Sequence, residues 1–326
     1  MILAGDIGGT KAALALFEER GNGLEVVREG RFSTADWPGL VEVVRAFLDA
    51  GDETVDRACL GVAGPVIGET IELTNAGWRV DRSELQATIG VDQIRFLNDL
   101  EATVYGLDAL PAERLETLAA GEPRGTHSAM IAAGTGLGMA ILVHVDGRPR
   151  AIASEGGHVD FAPRNEDEMA LHAFLHARHG HVSTERVVSG PGIHTIYEFL
   201  RDTGREPEPA GLAERLAEVA DPSAEISDAA LEGEPAICVR AMELFIDAYG
   251  AAAGNLALTA LGLGGLYVGG GIAPRILPLL RADDRFLRAF RAKGRLTELL
   301  SVVPVHVVLE PRTALLGAAR CATLPD

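Results

Sequence analysis

Two separated stretches of this chain share one pattern, and that pattern limits the folds open to it. "LAGDIGGTKAALALF" (residues 3–17) and "IAAGTGLGMAILVHV" (residues 131–145) each read as an apolar strand, a glycine-rich turn carrying a threonine, and an apolar return strand. Such a turn bends the backbone sharply and leaves N–H groups able to meet phosphate oxygens. Its recurrence at domain scale predicts two related α/β halves facing each other. A single nucleotide-binding sheet of the dehydrogenase type would not repeat it, and neither turn matches G-x-x-x-x-G-K-[ST] or G-x-G-x-x-G. The 326 residues have room for about two domains at roughly 100–200 residues each.

Between the two turns the apolar periodicity alternates. "AALALFEE" and "LEVVREGRF" flank "RGNG" as a hairpin. "GLVEVVRAFLDAG" has helical spacing and a stop at Gly51, and "DRSELQATIG" reads as a helix capped by Asp81 or Ser83. "QIRFL" is a strand. Further on, "AICVRAMELFIDAYGAAAGNLALTALG" predicts a long, mostly buried helix, and "VPVHVVL" and "ALLGAARCATL" a last strand and helix. Within 161–235, "EPEPAG" and "ADPSAEISD" read as exposed loops. Asp160, Glu166, Asp167 and Glu168 read as solvated charges.

Composition excludes several classes of function. Forty-seven acidic residues against 29 basic ones give a net charge of −18, and no basic patch of the kind nucleic acids require is present. No apolar run is long enough to predict a membrane span. The start, "MILAGDIGG", has no leader pattern, so a cytoplasmic protein is expected. Cys59, Cys238 and Cys321 are odd in number and far apart, which fits buried free thiols better than a disulfide framework or a zinc site. An anionic chain that binds nucleotide must do so with local means: backbone N–H groups, helix N-termini and Mg²⁺.

Three segments carry candidate chemistry. In "GDIGGTK", Gly5–Thr10 form the first turn, and Asp6 offers a carboxylate to Mg²⁺, directly or through water; a plain hairpin turn is the alternative. "AGTGLG" pairs with it, and in "GGLYVGGGIAP" three glycines at the strand end, before a helix, allow either a flat ring to lie against backbone or close helix–strand packing. In "IRFLNDLEA" a buried strand runs into Asn98-Asp99. Asp is among the best helix caps, so Asp99 is either a cap or a working carboxylate. In "EGGHVDF" the two glycines let Glu155 and His158 face one ligand.

"GDIGGTK", "GVAGP", "TNAGW", "FLNDLEA", "GTGLG", "EGGHVDFAP", "ERVVSGPG" and "GGIAPR", in this order, resemble the bacterial glucokinase family, part of the actin-like ATPase superfamily of sugar kinases. The resemblance spans about Ala4 to Ala319. It implies an α/β, two-domain actin-like (duplicated ribonuclease H-like) fold with an interdomain cleft. The smaller domain would hold 1–109 plus 303–326 and the larger 110–302. It implies ATP-dependent phosphorylation of D-glucose to glucose 6-phosphate with Asp99 as general base. Asn75, Asn98, Asp99, Glu155, His158 and Glu185 would bind the sugar. Gly5, Asp6, Ile7, Gly8, Gly9, Thr10, Thr135, Gly136 and Gly265 would bind ATP. Taken alone, Glu185 in "STERV" reads as a helix-start residue. A related repressor–kinase group carries a cysteine-rich zinc motif between the sugar-binding His and Glu; no cysteine lies between His158 and Glu185, so no zinc is expected. Relatives often have Asn after "GGT", which leaves the role of Lys11 open. A homodimer is implied. The alternatives are a kinase for mannose or N-acetylmannosamine, a polyphosphate-using glucokinase, and, from another class, a sugar sensor or repressor. The repressor needs a DNA-binding domain for which residues before Gly5 leave no room.

Overall fold

The computed structural model describes residues 1–21, 23–64, 68, 70–73 and 76–325, and every structural statement below concerns these. They fall into two compact units. The first comprises Met1–Arg114, Leu142–Ala153 and Glu310–Asp326, the second Leu115–Ile141 and Ser154–Leu309.

The N-terminal part carries β1 (Ile2–Ile7), β2 (Lys11–Arg20), β3 (Gly23–Ser33), α1 (Leu40–Leu48), β4 (Arg57–Val62), β5 (Thr70–Leu73), β6 (Trp78–Asp81), α2 (Arg82–Ile89), β7 (Ile94–Asn98) and α3 (Asp99–Leu107). Four strands follow: β8 (Leu115–Ala119), β9 (Ser128–Ala133), β10 (Leu137–Val145) and β11 (Arg148–Ser154). A helical run comes next: α4 (Glu166–His179), α5 (Gly190–Asp202), α6 (Leu212–Glu218), α7 (Pro222–Glu232) and α8 (Ala236–Thr259). The chain ends with β12 (Gly265–Gly269), α9 (Ile272–Arg275), α10 (Leu277–Ala282), α11 (Arg285–Arg291), α12 (Thr297–Ser301), β13 (Val305–Val308) and α13 (Thr313–Thr323).

In the first unit the sheet order is β3-β2-β1-β4-β7. β1, β2 and β3 form an antiparallel meander, while β1, β4 and β7 run parallel. The parallel strands are covered on both faces, so "ILAGDI" and "RACLGV" are nearly continuous apolar runs. Leu3, Ile7, Leu14, Val44 and Leu60 are fully buried in this core. α13 lies against α3 at backbone contact. A Cβ on Gly317 would stand 1.7 Å from the Ala102 carbonyl oxygen, and one on Gly106 2.3 Å from that of Thr313.

The second unit repeats the theme. Its parallel centre is β9, β12 and β13, flanked by β10 and by antiparallel β8. α8 is buried along most of its length, with Tyr249 packed against Phe245 and against Phe286. No helix among the described residues is long and apolar enough to cross a membrane.

Two sequence expectations fail here. "ADPSAEISD" is not a loop from end to end: α7 begins inside it, with Asp221 as N-cap accepting from Ala224 N and Pro222 in the first turn. The Asp-Pro pair that suggested a turn is a helix start signal. Glu168 is not a solvated charge. It is 1% exposed and receives bonds from the Arg164 guanidinium and backbone N–H.

Candidate active site

The first unit gathers two carboxylates at the carboxyl ends of parallel strands, where open α/β sheets bind ligands. Asp6, one residue before the end of β1, pairs with Gly61 of β4; Gly61 in turn pairs with Leu97 of β7, two residues before Asp99. Gly61 has no side chain to fill the space between. A Cβ there would lie 3.8 Å from the Asp99 Cα and 2.8 Å from the Ala102 Cβ, so the glycine lets α3 seat its first turn on the sheet. Burial, and then the negative charge of Asp99, push the Asp6 carboxyl up to about 6. Both causes penalise a second bare charge, which is the electrostatic setting that a divalent cation relieves.

The helix cap falls on Asn98 rather than Asp99. Asn98 Oδ1 accepts from Leu100 N at 2.9 Å, and Glu101 Oε2 accepts from Asn98 N at 2.9 Å, a reciprocal capping box. Asp99 Oδ1 also accepts from Leu100 N at 2.8 Å. With Oδ1 committed, what Asn98 offers a ligand is its NH₂.

The glycine turn of the first unit is a tight hairpin. Gly8 N donates to Lys11 O at 2.9 Å, while the Thr34 side chain and backbone hold the carbonyls of Gly9 and Thr10. The N–H groups of Gly9 and Thr10 take no part in those bonds. Thr10 and Lys11 are exposed. Gly5 and Ile7 sit deeper. The Cβ space of Gly5 is filled by Leu60 Cδ2, and the Ile7 side chain is in the core. Asn75 lies outside the described residues.

In the second unit the turn 134–136 is tied from three sides. Gly134 N donates to Gly136 O (2.9 Å), Gly190 N to Gly134 O (2.8 Å), and Leu137 N to Glu185 Oε2 (2.8 Å). Glu185 is thus fixed to the glycine turn by one oxygen. The "EGGH" turn presses on the same place, since a Cβ on Gly157 would stand 2.0 Å from the Leu137 carbonyl oxygen. His158 Nε2 is 3.9 Å from Glu155 Oε2, and both side chains are mostly exposed. Thr135, His158 and Glu185 line one pocket of about 250 Å³, with His179 and His181.

A larger cavity of about 730 Å³ adjoins it through Thr135 and Pro191. Sequence reasoning missed most of its wall. The N-termini of α5 and α7 open into it through Gly190 and Asp221–Ala224, and Gly271 and Ile272 supply a flat side. Ser223 Oγ donates to Gly190 O at 2.5 Å and joins the two helix starts. The signal was present in "SGPG" and "DPS", each a capping residue followed by proline within the first turn. Gly265 does not line this cavity. It opens β12, whose other end leads to Gly271, and four residues of strand at about 3.3 Å each separate the two ends. Among the described residues no group of three or more His, Cys, Asp or Glu side chains is arranged to hold a metal ion.

Two sheets of this topology, each with a glycine turn, and carboxylates and other polar side chains gathered by those turns, fit an actin-like sugar kinase. The glucokinase family profile matches residues 3–324. A curated glucokinase from Nostoc punctiforme is 42% identical, covering 99% of this chain and 98% of its own. One from Cronobacter sakazakii is 37% identical over 97% and 95%. The crystal structure of a glucokinase from an Antarctic psychrotroph superposes with a TM-score of 0.86 at 33% identity, covering 98% of both chains. The chain belongs to the glucokinase family.

Proposed function

We propose that this chain transfers the γ-phosphoryl group of ATP to the 6-hydroxyl of D-glucose, with Asp99 as general base. The observation that carries the reading is the placement of Asp99 in the first turn of α3, with Asn98 as the N-cap before it, near a second carboxylate, Asp6, which burial and the Asp99 charge push up to about 6. In the reaction the bond from O6 to phosphorus forms as the bond from phosphorus to the β-phosphate oxygen breaks. The hydroxyl proton passes to the Asp99 carboxylate, and ADP leaves. Positioning and charge neutralisation dominate such transfers, and a general base adds about 10²–10⁴-fold.

The adenine and ribose occupy the cavity bounded by Gly271 and the α5 and α7 N-termini, with the flat side at Gly271 and Ile272 against the base. Gly9, Thr10 and Gly134–Gly136 take phosphate oxygens. Gly5, Ile7 and Gly265 then serve packing. His158, Glu155, the second oxygen of Glu185 and the Asn98 NH₂ bind sugar hydroxyls, each of which both donates and accepts. Mg²⁺, held by Asp6 directly or through water, would offset phosphate charge. The homodimer and a cytoplasmic location belong to the same reading; light scattering tests the first.

An ADP-release assay with MgATP decides the matter. Glucose turns over, with mannose and N-acetylmannosamine well behind and polyphosphate inactive as donor. No turnover of glucose overturns the proposal, and sugar binding without turnover would make the chain a sensor.

A further inference from the structure

The larger cavity of the second unit carries a group that the transfer step itself does not call on. Arg275 ends α9, the short helix after the glycine turn 269–271, and lines the cavity beside Gly271 and Ile272. Its guanidinium meets the carboxylate of Asp228 in a two-bond fork: Nε donates to Oδ1 at 3.0 Å, and Nη2 donates to Oδ2. Asp228 lies on α7, whose first residues, with Asp221 and Ala224, line the same cavity. The fork therefore ties the α9 wall to the α7 wall. Both partners are about half exposed, and an ion pair in that setting adds little stability. What it fixes is orientation, because a two-bond fork holds the guanidinium in the plane of the carboxylate. The fork uses one edge of the group and neither of its flat faces. Among the described residues lining this cavity none is Phe, Tyr or Trp. The ring of His194, which does line it, is already stacked on the buried Tyr197 ring, with centroids 6.1 Å apart.

We propose that Arg275, held by Asp228, is a specificity-determining residue that stacks on the nucleobase and favours purine over pyrimidine nucleoside triphosphates as phosphoryl donors. A guanidinium laid on a base gains from the π electrons of the ring and from the area of contact. A bicyclic purine covers the planar group, whereas a single pyrimidine ring covers less of it. Lysine cannot take the place of this arginine, because an ammonium is a strongly hydrated point charge with no plane to offer. The inference rests on the nucleotide reading of this cavity and adds to it the side chain that sorts the bases.

The test measures kcat and KM for ATP, GTP, CTP and UTP at saturating glucose, in the parent and in Arg275→Lys and Arg275→Met. In the parent, kcat/KM should be higher for the two purine donors. Both variants should raise KM for ATP and GTP by roughly three- to thirty-fold, with kcat and the KM for glucose little changed, and the purine preference should shrink. Asp228→Asn keeps the shape but weakens the fork, and should move the same way by less. Should neither Arg275 variant fold, Asp228→Asn carries the test. A lowered melting temperature with the purine preference intact would make the pair merely structural and overturn the proposal. Full rescue by lysine, or an equal rise in KM for all four donors, would make Arg275 a contact for phosphate charge and overturn it too, as would equal kcat/KM for the four donors in the parent. Gly271→Phe separates this inference from the reading beneath it. If that variant leaves KM for ATP unmoved, the base lies elsewhere and both fall; if it raises KM while Arg275→Lys does not, the role of Arg275 alone is wrong.

Discussion

Asp99 and Asp6 carry most of what can be tested one side chain at a time. Asp99→Asn keeps the shape and the bond to Leu100 N but cannot take a proton. Its kcat should fall by about 10²–10⁴-fold, while glucose binding measured by calorimetry stays within a few-fold. Near-normal turnover would remove Asp99 from the mechanism. Asp6 predicts a change in stability with a definite sign. Its carboxyl is raised from 3.8 to about 6, so the folded protein holds a proton in that window which the unfolded chain has released. The stability tied to this proton is complete below pH 3.8 and is lost as pH rises through about 6. Asp6→Asn should therefore unfold at a higher temperature than the parent at pH 8, by the equivalent of roughly 3 kcal/mol at most. The gap should close toward pH 4. Equal melting at pH 8 would mean that Asp6 pays no penalty for its charge. The same variant should lose activity, which separates its functional role from its structural cost.

At the level of elements, the position of Asp99 depends on how α3 meets its neighbours. Gly61 lets α3 sit on the sheet, and Gly106 and Gly317 let α13 cross α3 with backbones touching. A methyl group at 317 has no room beside the Ala102 carbonyl oxygen, so Gly317→Ala forces the helices apart. Overpacking of this kind costs about 1–3 kcal/mol, occasionally more. Thermal unfolding should register it as a clear loss, and kcat should fall more than the loss of folded protein explains, because α3 carries Asp99. The capping box gives a second reading of the same helix. Asn98→Ala removes the cap at about 1 kcal/mol. It also removes the NH₂ proposed to meet the sugar, so KM for glucose should rise together with the loss of stability. A change in stability alone would confine Asn98 to capping.

Across the whole molecule the proposed function assigns the two substrates to different stretches of chain, and their kinetics should come apart accordingly. Nothing lies within 4 Å of where a Cβ on Gly271 would point, and that residue lines the larger cavity of the second unit. Gly271→Phe should fold normally and fill the nucleotide space, raising KM for ATP by ten-fold or so, the scale of a lost fragment worth about 1.4 kcal/mol. KM for glucose should barely move. His158→Ala should do the reverse. If both variants disturb both substrates equally, the assignment of the two pockets is wrong.

Much of this was legible in the chain itself. Continuous apolar runs gave the parallel strands, because a strand covered on both faces has no place for alternation. The glycine turns, "NDLEA" and "EGGH" stood out because sharp backbone bends and paired polar groups leave local marks. What the chain could not disclose were relations set by packing between distant segments. Residue type left Asp99 open between a helix cap and a working carboxylate; that the N-cap is Asn98, bonded to Leu100 and Glu101, emerges only in three dimensions. Glu168 looked solvated until its Arg164 partner and its burial were seen. Gly265 and Gly271 belong to one glycine-rich segment, yet β12 separates them. The wall of the larger cavity of the second unit also exists only after folding. Local bends and burial periodicity are written residue by residue, whereas proximity between remote side chains arises from the packing of whole elements.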